Sequence, residues 1–369
     1  MSKMICKGCG SLLQIDDETK PGFINKIDET KTELYCKRCY RLMHYNEFPK
    51  IVANNKDYEL VVDDLLTKNG LIVLVVDLFD FTGTFIPKIV DKLRNKNVIL
   101  VANKLDLLPK SANVSKIVDW LSYMVNRYFF RVDAIHIVSS KKGYYIDDLM
   151  NTIDIARQGR DVYFMGCANV GKSSLINCLI KRFSNRTTDL IATSPIPGTT
   201  LSSINIPFYE DNKSFIDTPG LINERNALSC LNETSYDLLL PKKEIKPISY
   251  QLEPNNVVIL GAIFYASLKE AKENVTFAAY VSSDVTVHRR HDIDTLEFMN
   301  KHRGELLVPP VKTDNSNLKF IKKEFKIGSK KQDLVISGLG FITINKPCTI
   351  EVNVIEGLDV FLRNAIFGK

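Results

Sequence analysis

The chain has 369 residues, of which 45% are hydrophobic and 25% are charged, a composition that indicates a soluble globular protein of about two or three domains. No apolar run reaches membrane-spanning length and the first residues lack a secretory core, so we expect a cytoplasmic protein without a membrane partner. The formal net charge of +6 arises in residues 1–50 and 241–369. These flanks have either an anionic partner or a solvated basic surface.

The first predicted element is a zinc-binding module in residues 1–50. Two Cys-x-x-Cys pairs, Cys6 with Cys9 and Cys36 with Cys39, are separated by 26 residues. Each pair has the spacing with which two thiolates bind one metal ion, and two pairs make a closed tetrahedral zinc site. The residues between them have few apolar side chains, so zinc would supply the free energy of folding. A redox pair and two disulfides are the alternatives, and a cytosolic chain disfavours the disulfides.

Residues 51–225 predict an α/β domain built on a doubly wound parallel sheet. Four apolar runs, each as long as a strand that is buried on both faces, alternate with stretches of helical periodicity. These runs are 71–76, 98–102, 134–138 and 162–165. Because ligands bind at the carboxyl ends of the strands in such sheets, the polar residues that follow each run are candidates for a binding site.

Two motifs that select a base follow the second and third runs. They are Asn103-Lys104-Leu105-Asp106 and Ser139-Ser140-Lys141. The Asp106 carboxylate can accept hydrogen bonds from N1–H and from the exocyclic amine of guanine, a pair of donors that adenine lacks. We expect Lys104 to lie along the purine ring and the backbone of Ser140 and Lys141 to meet O6. These two motifs therefore predict that the nucleotide is GTP or GDP.

A glycine-rich phosphate loop follows the fourth run and begins a helix. Its backbone N–H groups and the helix N-terminus favour phosphate groups. We expect Lys172 to reach the β- and γ-phosphates and Ser173 to bind Mg²⁺. Asn169 is either a ligand of a stimulating K⁺ ion or a turn residue. The predicted GTP contacts in this loop are Gly166, Asn169, Val170, Gly171, Lys172, Ser173 and Ser174.

Two further motifs, Pro197-Gly198-Thr199-Thr200 and Asp217-Thr218-Pro219-Gly220, follow the phosphate loop. We expect Asp217 to hold Mg²⁺, usually through a water, and the Gly220 N–H to sense the γ-phosphate. Thr200 would close over the metal, with Thr199 as the alternative. Leu221 occupies a position where many GTPases carry a catalytic glutamine. Because leucine cannot orient water, the sequence predicts slow intrinsic hydrolysis.

The order of these motifs is unusual, because the two base motifs precede the phosphate loop and the switch motifs follow it. This order predicts a circularly permuted P-loop GTPase domain. The predicted catalytic residues are Lys172, Asn169, Thr200 and Gly220, and the predicted Mg²⁺ ligands are Ser173, Thr200 and Asp217. Asp217 and Gly220 are also predicted to contact GTP.

Residues 226–369 predict an α+β or mostly β domain without a catalytic constellation. The β-like runs are 257–260, 275–281, 334–337, 341–344 and 349–354, and a helix is expected over 294–302. A basic helical region with Arg289, Arg290, Lys301 and Arg303 either contacts RNA phosphates or forms a solvated face.

The complete arrangement resembles the YqeH family of circularly permuted GTPases, and the resemblance covers essentially the whole chain. Besides the cysteine pairs and the motif order, it rests on Val75-Val76-Asp77 with Asp80-Phe81 and on the nucleotide motifs above. It implies a GTP-hydrolysing switch in assembly of the small ribosomal subunit, with a C-terminal domain that binds RNA or ribosomal protein. The alternative, favoured by Leu221, is a GTP-gated scaffold whose hydrolysis is negligible unless a partner activates it.

Overall fold

The computed structural model describes residues 12–17, 22–26, 34–37, 52–53, 55–183, 203–314 and 316–367. Contacts divide the chain into two compact units. The described residues within Met1–Leu105 and Leu121–Ile222 form the first, which we call the α/β unit. Those within Asp106–Trp120 and Asn223–Lys369 form the second, which we call the β unit.

The α/β unit contains a mixed sheet of six strands in the part of the chain that the structure describes, in the order β4-β3-β2-β5-β7-β6. The strands are β2 (Gly70–Asp77), β3 (Val98–Asn103), β4 (Ala134–Ile137), β5 (Asp161–Gly166), β6 (Ile204–Pro207) and β7 (Ser214–Asp217). All neighbours are parallel except β6 and β7, which are antiparallel. The sheet extends from β2 in both directions, as expected for a doubly wound fold, but it is not purely parallel.

The four predicted strands of this sheet are confirmed, and three of them are buried along their whole length or nearly so. Strands β2 and β3 have no exposed residue, and β5 has only its first residue partly exposed. The helices of the unit are α1 (Asn55–Thr67), α2 (Phe81–Thr84), α3 (Pro87–Lys92), α4 (Val114–Asn126), α5 (Ile146–Arg157) and α6 (Lys172–Phe183), and α4 begins in the β unit. A short strand β1 (Val52–Ala53) pairs with β8 (Gly220–Leu221).

The β unit contains two antiparallel sheets of five strands each among its described residues. One has the order β13-β10-β11-β19-β16 and the other β20-β17-β18-β12-β9. The strands of these two sheets are β9 (Ile248–Leu252), β10 (Asn256–Leu260), β11 (Phe264–Ala271), β12 (Val275–Val281), β13 (Val287–His291), β16 (Phe320–Ile327), β17 (Gln332–Ile336), β18 (Gly340–Ile344), β19 (Cys348–Ile355) and β20 (Val360–Asn364). Two further strands, β14 (Arg303–Gly304) and β15 (Leu307–Val311), pair with each other in parallel. The helices are α7 (Ala227–Cys230), α8 (Glu233–Leu239) and α9 (Thr295–His302).

One apolar core joins the two sheets of the β unit. Phe264 and Val352 from the first sheet pack in the same cluster as Phe277 and Ile342 from the second. Along β12 buried and half-buried residues alternate, the period-2 pattern of a strand with one face on a core. The prediction of a mostly β domain is confirmed. The prediction that Arg289 and Arg290 belong to a helical region is wrong, because both lie on β13, which pairs with β10.

The segment Asp106–Trp120 belongs to the β unit, although its first residue is also the last residue of the motif that begins at Asn103 in the α/β unit. The backbone N–H of Ile245 donates to the carbonyl of Leu107 at 2.8 Å. The indole Nε1 of Trp120 donates to the carbonyl of Asn364 at 2.9 Å. These hydrogen bonds fix both ends of the segment.

In the residues that the structure describes, no helix is long and apolar enough to cross a membrane.

Candidate nucleotide site

The nucleotide motifs of the α/β unit lie at the carboxyl ends of neighbouring strands. Asp77 at the end of β2 is in register with Asn103 at the end of β3. On the other side of β2, Gly166 ends β5 opposite Val75, and Asp217 ends β7 opposite Phe164 of β5. Parallel strands place these ends along one edge of the sheet. The structure thus brings together motifs that are spread over more than a hundred residues of sequence.

Asn103 connects three of the motifs through its side-chain amide. Its Nδ2 donates to the carbonyl of Val170 in the phosphate loop at 3.0 Å and to Ser140 Oγ at 3.1 Å. Its Oδ1 accepts the backbone N–H of Ser140 at 3.0 Å. Asn103 is 1% exposed, so these bonds replace those that water would make. One buried amide therefore holds both base motifs against the phosphate loop.

We expect Asn103→Ala to weaken GDP binding by about 1–3 kcal/mol, because it leaves the Val170 carbonyl and the Ser140 N–H without their partner. A titration with fluorescent GDP measures the effect. Asn97→Ala is the matched control, because Asn97 is an exposed amide that bonds Asp133 at 3.1 Å near the opposite end of β3. Equal GDP affinities for the two variants would contradict the connecting role of Asn103.

The phosphate loop is packed so closely that a Cβ at either of two glycines would force its neighbours to shift. A Cβ on Gly166 would lie 2.3 Å from the carbonyl oxygen of Val75. A Cβ on Gly171 would lie 2.4 Å from Asn103 Nδ2, and Gly171 has a φ of +85°. Both positions therefore require glycine for a steric reason, in addition to the close approach of the phosphates. Asn169 also has a positive φ, of 65°, which asparagine tolerates better than most residues.

Lys172, Ser173 and Asp217 form the predicted metal and phosphate cluster. The ammonium of Lys172 pairs with Asp217 Oδ1 and donates to the carbonyl of Thr218. Ser173 Oγ donates to Asp217 Oδ2 at 3.4 Å. A hydroxyl and a carboxylate are oxygen donors of the kind that Mg²⁺ prefers, so these residues fit that ion. Ser174, also predicted to contact GTP, is exposed on α6.

Leu221 is buried at 6% exposure and forms a parallel backbone bridge with Cys167 of the phosphate loop. Its carbonyl accepts the backbone N–H of Ala168 at 2.8 Å. An apolar side chain held in this position has no group with which to orient a water molecule. Gly220, the predicted γ-phosphate sensor, is its neighbour in β8 and is also buried.

The side chain of Lys104 pairs with a carboxylate to which the sequence assigned no role. Lys104 Nζ lies 2.5 Å from Asp77 Oδ2.

Asp106, the last residue of the first base motif, lies within the 3-10 helix Leu105–Leu107 and is half-buried. In the second base motif Ser139 is fully buried, and its Oγ accepts the backbone N–H of Lys142 at 3.0 Å. Lys141 is exposed.

Cys167 in the phosphate loop is a buried thiol rather than a reactive one. Burial raises the pKa of Cys167 far above its ordinary value, and the nearby Asp80 carboxylate raises it further. Its Sγ donates to the carbonyl of Thr84 at 3.4 Å. The thiol therefore stays protonated at neutral pH and packs as a small apolar side chain.

The zinc prediction involves residues that the structure leaves mostly undescribed. Cys6, Cys9 and Cys39 lie outside the described residues, and so does Thr200. Cys36 is described, is 1% exposed and packs with Leu13 and Tyr35. No group of three or more His, Cys, Asp or Glu residues that could hold a metal occurs among the described residues. The zinc module therefore stays a prediction.

Comparisons with known proteins agree with this geometry. The family model described as "50S ribosome-binding GTPase" matches residues 161–256, which contain the phosphate loop and the Asp217 motif but not the preceding Asn103 motif. The model described as "YqeH-like, C-terminal" matches residues 274–366. The first match covers only the later part of the nucleotide motifs, as a permuted order requires.

The relatives that match nearly the whole chain include a plant protein and a bacterial protein. "NO-associated protein 1, chloroplastic/mitochondrial" of Arabidopsis thaliana is 28% identical over 92% of this chain and 69% of its own length. "Uncharacterized protein YqeH" of Bacillus subtilis (strain 168) is 33% identical over 99% of this chain and 100% of its own length. The chain therefore belongs to the YqeH family of circularly permuted GTPases.

Proposed function

We propose that this protein is a GTP-hydrolysing switch that acts in assembly of the small ribosomal subunit. The observation that best supports its GTP-binding part is the buried Asn103 amide, which joins the base motifs to the phosphate loop. The ribosomal role rests on resemblance to the YqeH family. GTP would bind at the carboxyl edge of the sheet, with guanine at the base motifs and the phosphates at the glycine-rich loop. The organisation we propose is a metal module in 1–50, the GTPase domain in 51–225 and an RNA- or protein-binding domain in 226–369, in a cytoplasmic protein.

The chemistry follows from the groups at the phosphate end of the site. Lys172 would hold the β- and γ-phosphates and offset the charge that develops on them during transfer. Ser173 and Asp217, with Thr200 closing over the site, would hold Mg²⁺, which neutralises charge on the phosphate oxygens. The Gly220 N–H would report whether the γ-phosphate is present. Asp106 would select guanine by accepting from N1–H and the amine.

Intrinsic hydrolysis is expected to be slow and to depend on K⁺. Leu221 is buried and cannot place the attacking water, so stabilisation of the transition-state charge must come from elsewhere. Asn169, on a left-handed turn of the phosphate loop, has a side-chain carbonyl that can bind a K⁺ ion.

Single-turnover hydrolysis in K⁺ and in Na⁺ tests this role. We expect K⁺ to raise the rate about 10²-fold, and Asn169→Ala to remove most of that gain while it still binds GDP. Equal rates in the two salts would dispose of the K⁺ site.

The ribosomal partner is testable with purified subunits. The described residues of the β unit lack a catalytic constellation, and its net charge is positive, which suits a polyanionic partner. The matching family model names the large subunit, whereas resemblance to the YqeH family implies the small one. Pelleting with each subunit, in GTP analogue and in GDP, separates the two. We expect nucleotide-dependent binding to the small subunit, and binding only to the large subunit would overturn this part of the proposal.

A GTP-gated scaffold is the second candidate, and the buried Leu221 favours it. Such a protein would bind the subunit in its GTP form and hydrolyse GTP only when bound. Single-turnover rates with and without small-subunit particles distinguish the candidates, because the scaffold has no measurable rate alone.

Zinc content after purification in reductant tests the metal module, with about one tightly held zinc per chain expected from a site of four cysteines.

A further inference from the structure

We propose that Asp77 is a positioning residue for guanine binding, which acts by holding the ammonium of Lys104. The inference rests on the proposed binding of guanine at Asn103–Asp106 and adds to it a residue that the base motif does not contain. Asp77 lies 27 residues before Lys104 in sequence, at the end of the neighbouring strand. Its carboxylate does not touch the reacting phosphates in this assignment, so its effect is on binding.

The ion pair is short and poorly accessible to water. Lys104 Nζ and Asp77 Oδ2 are 2.5 Å apart, and the two side chains are 20% and 10% exposed. Screening by salt is weak for a pair with so little exposure, so the attraction is larger than for a surface pair. Because Asp77 and Asn103 are in register, the pair links the ends of β2 and β3.

The Asp77 carboxylate is itself fixed in place. Its Oδ1 accepts the backbone N–H of Phe79 at 2.9 Å and that of Asp80 at 3.4 Å, which closes the turn after β2. The Asp77 N–H donates to Thr84 Oγ1 at 3.0 Å, and that hydroxyl donates to the carbonyl of Asp80 at 2.9 Å. One oxygen of the carboxylate is thus used for the turn and the other for Lys104.

The backbone of Lys104 is also constrained. It has a φ of +73°, a left-handed conformation that is uncommon for a residue with a long side chain. The carbonyl of Asn103 just before it accepts the backbone N–H of Leu78 at 3.0 Å. With its backbone and its ammonium both held, the aliphatic stem of Lys104 has few conformations left. When a purine packs along this stem, Lys104 therefore loses less side-chain entropy.

A purely structural role for Asp77 in the turn is the competing explanation, and one substitution separates the two. Asp77→Asn keeps an oxygen that accepts from Phe79 and Asp80 but removes the charge that holds Lys104. Lys104→Met removes the ammonium, keeps a stem of similar length and leaves the turn untouched. Asp63→Asn is the matched control, because Asp63 is an exposed carboxylate 2.6 Å from Lys92 Nζ in the same unit.

The experiment uses the full chain and measures the dissociation constants of GDP and GTP together with the single-turnover rate at saturating GTP. We expect Asp77→Asn and Lys104→Met each to raise both dissociation constants about tenfold. For Asp77→Asn, which changes a residue that does not touch the nucleotide, the loss should appear in the dissociation constants and not in the rate at saturating GTP. The double variant should bind no more weakly than Lys104→Met alone, since Asp77 acts through the ammonium. Asp63→Asn should bind as the unsubstituted protein does.

Three results would overturn the positioning role of Asp77. One is an Asp77→Asn variant that binds like Asp63→Asn. Another is a double variant whose loss is the product of the two single losses. The third is unchanged binding of both nucleotides by Lys104→Met. This result would overturn the role even if Asp77→Asn did not fold. An unsubstituted protein that binds neither nucleotide would remove the proposed function as well, whereas tight binding with any of these three results removes only the inference.

Discussion

Replacing Asp106 by asparagine is expected to change the preferred nucleotide from GTP to XTP. The carboxylate can accept from N1–H and from the exocyclic amine of guanine, whereas the asparagine NH₂ would face that amine donor to donor. Xanthine has a carbonyl at this position, which accepts from the new amide. A site built to hydrogen-bond one partner rejects a mismatched one strongly, so GTP affinity should fall about 10³–10⁴-fold.

Competition of GTP and XTP for the full-length variant measures this exchange. Asp119→Asn is the control, since Asp119 is an exposed carboxylate on α4, in the same segment of the chain. It should leave the preference for GTP unchanged. An Asp106→Asn protein that still prefers GTP would show that this residue does not contact the base.

Replacing Arg363 by methionine is expected to destabilise the β unit by about 3–5 kcal/mol. The Arg363 and Asp333 side chains are 1% and 0% exposed, with Arg363 Nε 3.2 Å from Asp333 Oδ2. The same carboxylate accepts from Thr343 Oγ1 at 2.7 Å and from the Ile366 N–H at 3.1 Å. Loss of the guanidinium leaves a buried negative charge without its counterion, which is the costly half of breaking such a pair.

The single tryptophan of the chain makes this effect directly observable. The Arg363 guanidinium lies 4.9 Å from the centre of the Trp120 ring, so Trp120 fluorescence during urea unfolding reports on this cluster. Lys346→Met is the control, because it removes a mostly exposed pair with Glu273 at 2.7 Å and should cost about 0–1 kcal/mol. Adding Asp333→Leu to Arg363→Met should recover part of the loss. If Arg363→Met lost less stability than Lys346→Met, the result would contradict a stabilising role for the buried Arg363–Asp333 pair.

The central strands of the α/β unit could be predicted because each is recognisable from its own run of apolar residues. The runs that became β2, β3 and β5 are apolar throughout and of strand length, and those of β3 and β5 are followed directly by a nucleotide motif. The edge strands of the β unit could not be predicted in this way. In strand β16 the exposed residues Lys322, Glu324 and Lys326 alternate with half-buried ones, and β13 carries two histidines and two arginines, since an edge strand has little apolar surface to bury.

The motifs of the nucleotide site were readable from sequence, but the contacts that hold them together were not. Asn103 and Val170 are 67 residues apart, and their contact depends on which strands are neighbours. Asp106–Trp120 lies in the β unit, where its last residue hydrogen-bonds a residue 244 positions away in sequence. Local pattern carries no information on such pairs. The Asp77–Lys104 pair is another case, because it requires the register of β2 against β3.

Calorimetric titration of the full-length protein with GTP, GDP and ATP in the presence of Mg²⁺ tests the nucleotide site most directly. A permuted chain that still places its base motifs beside its phosphate loop should bind GTP and GDP at least about 10²-fold more tightly than ATP. Equal affinity for GTP and ATP, or binding of none of the three, would contradict it.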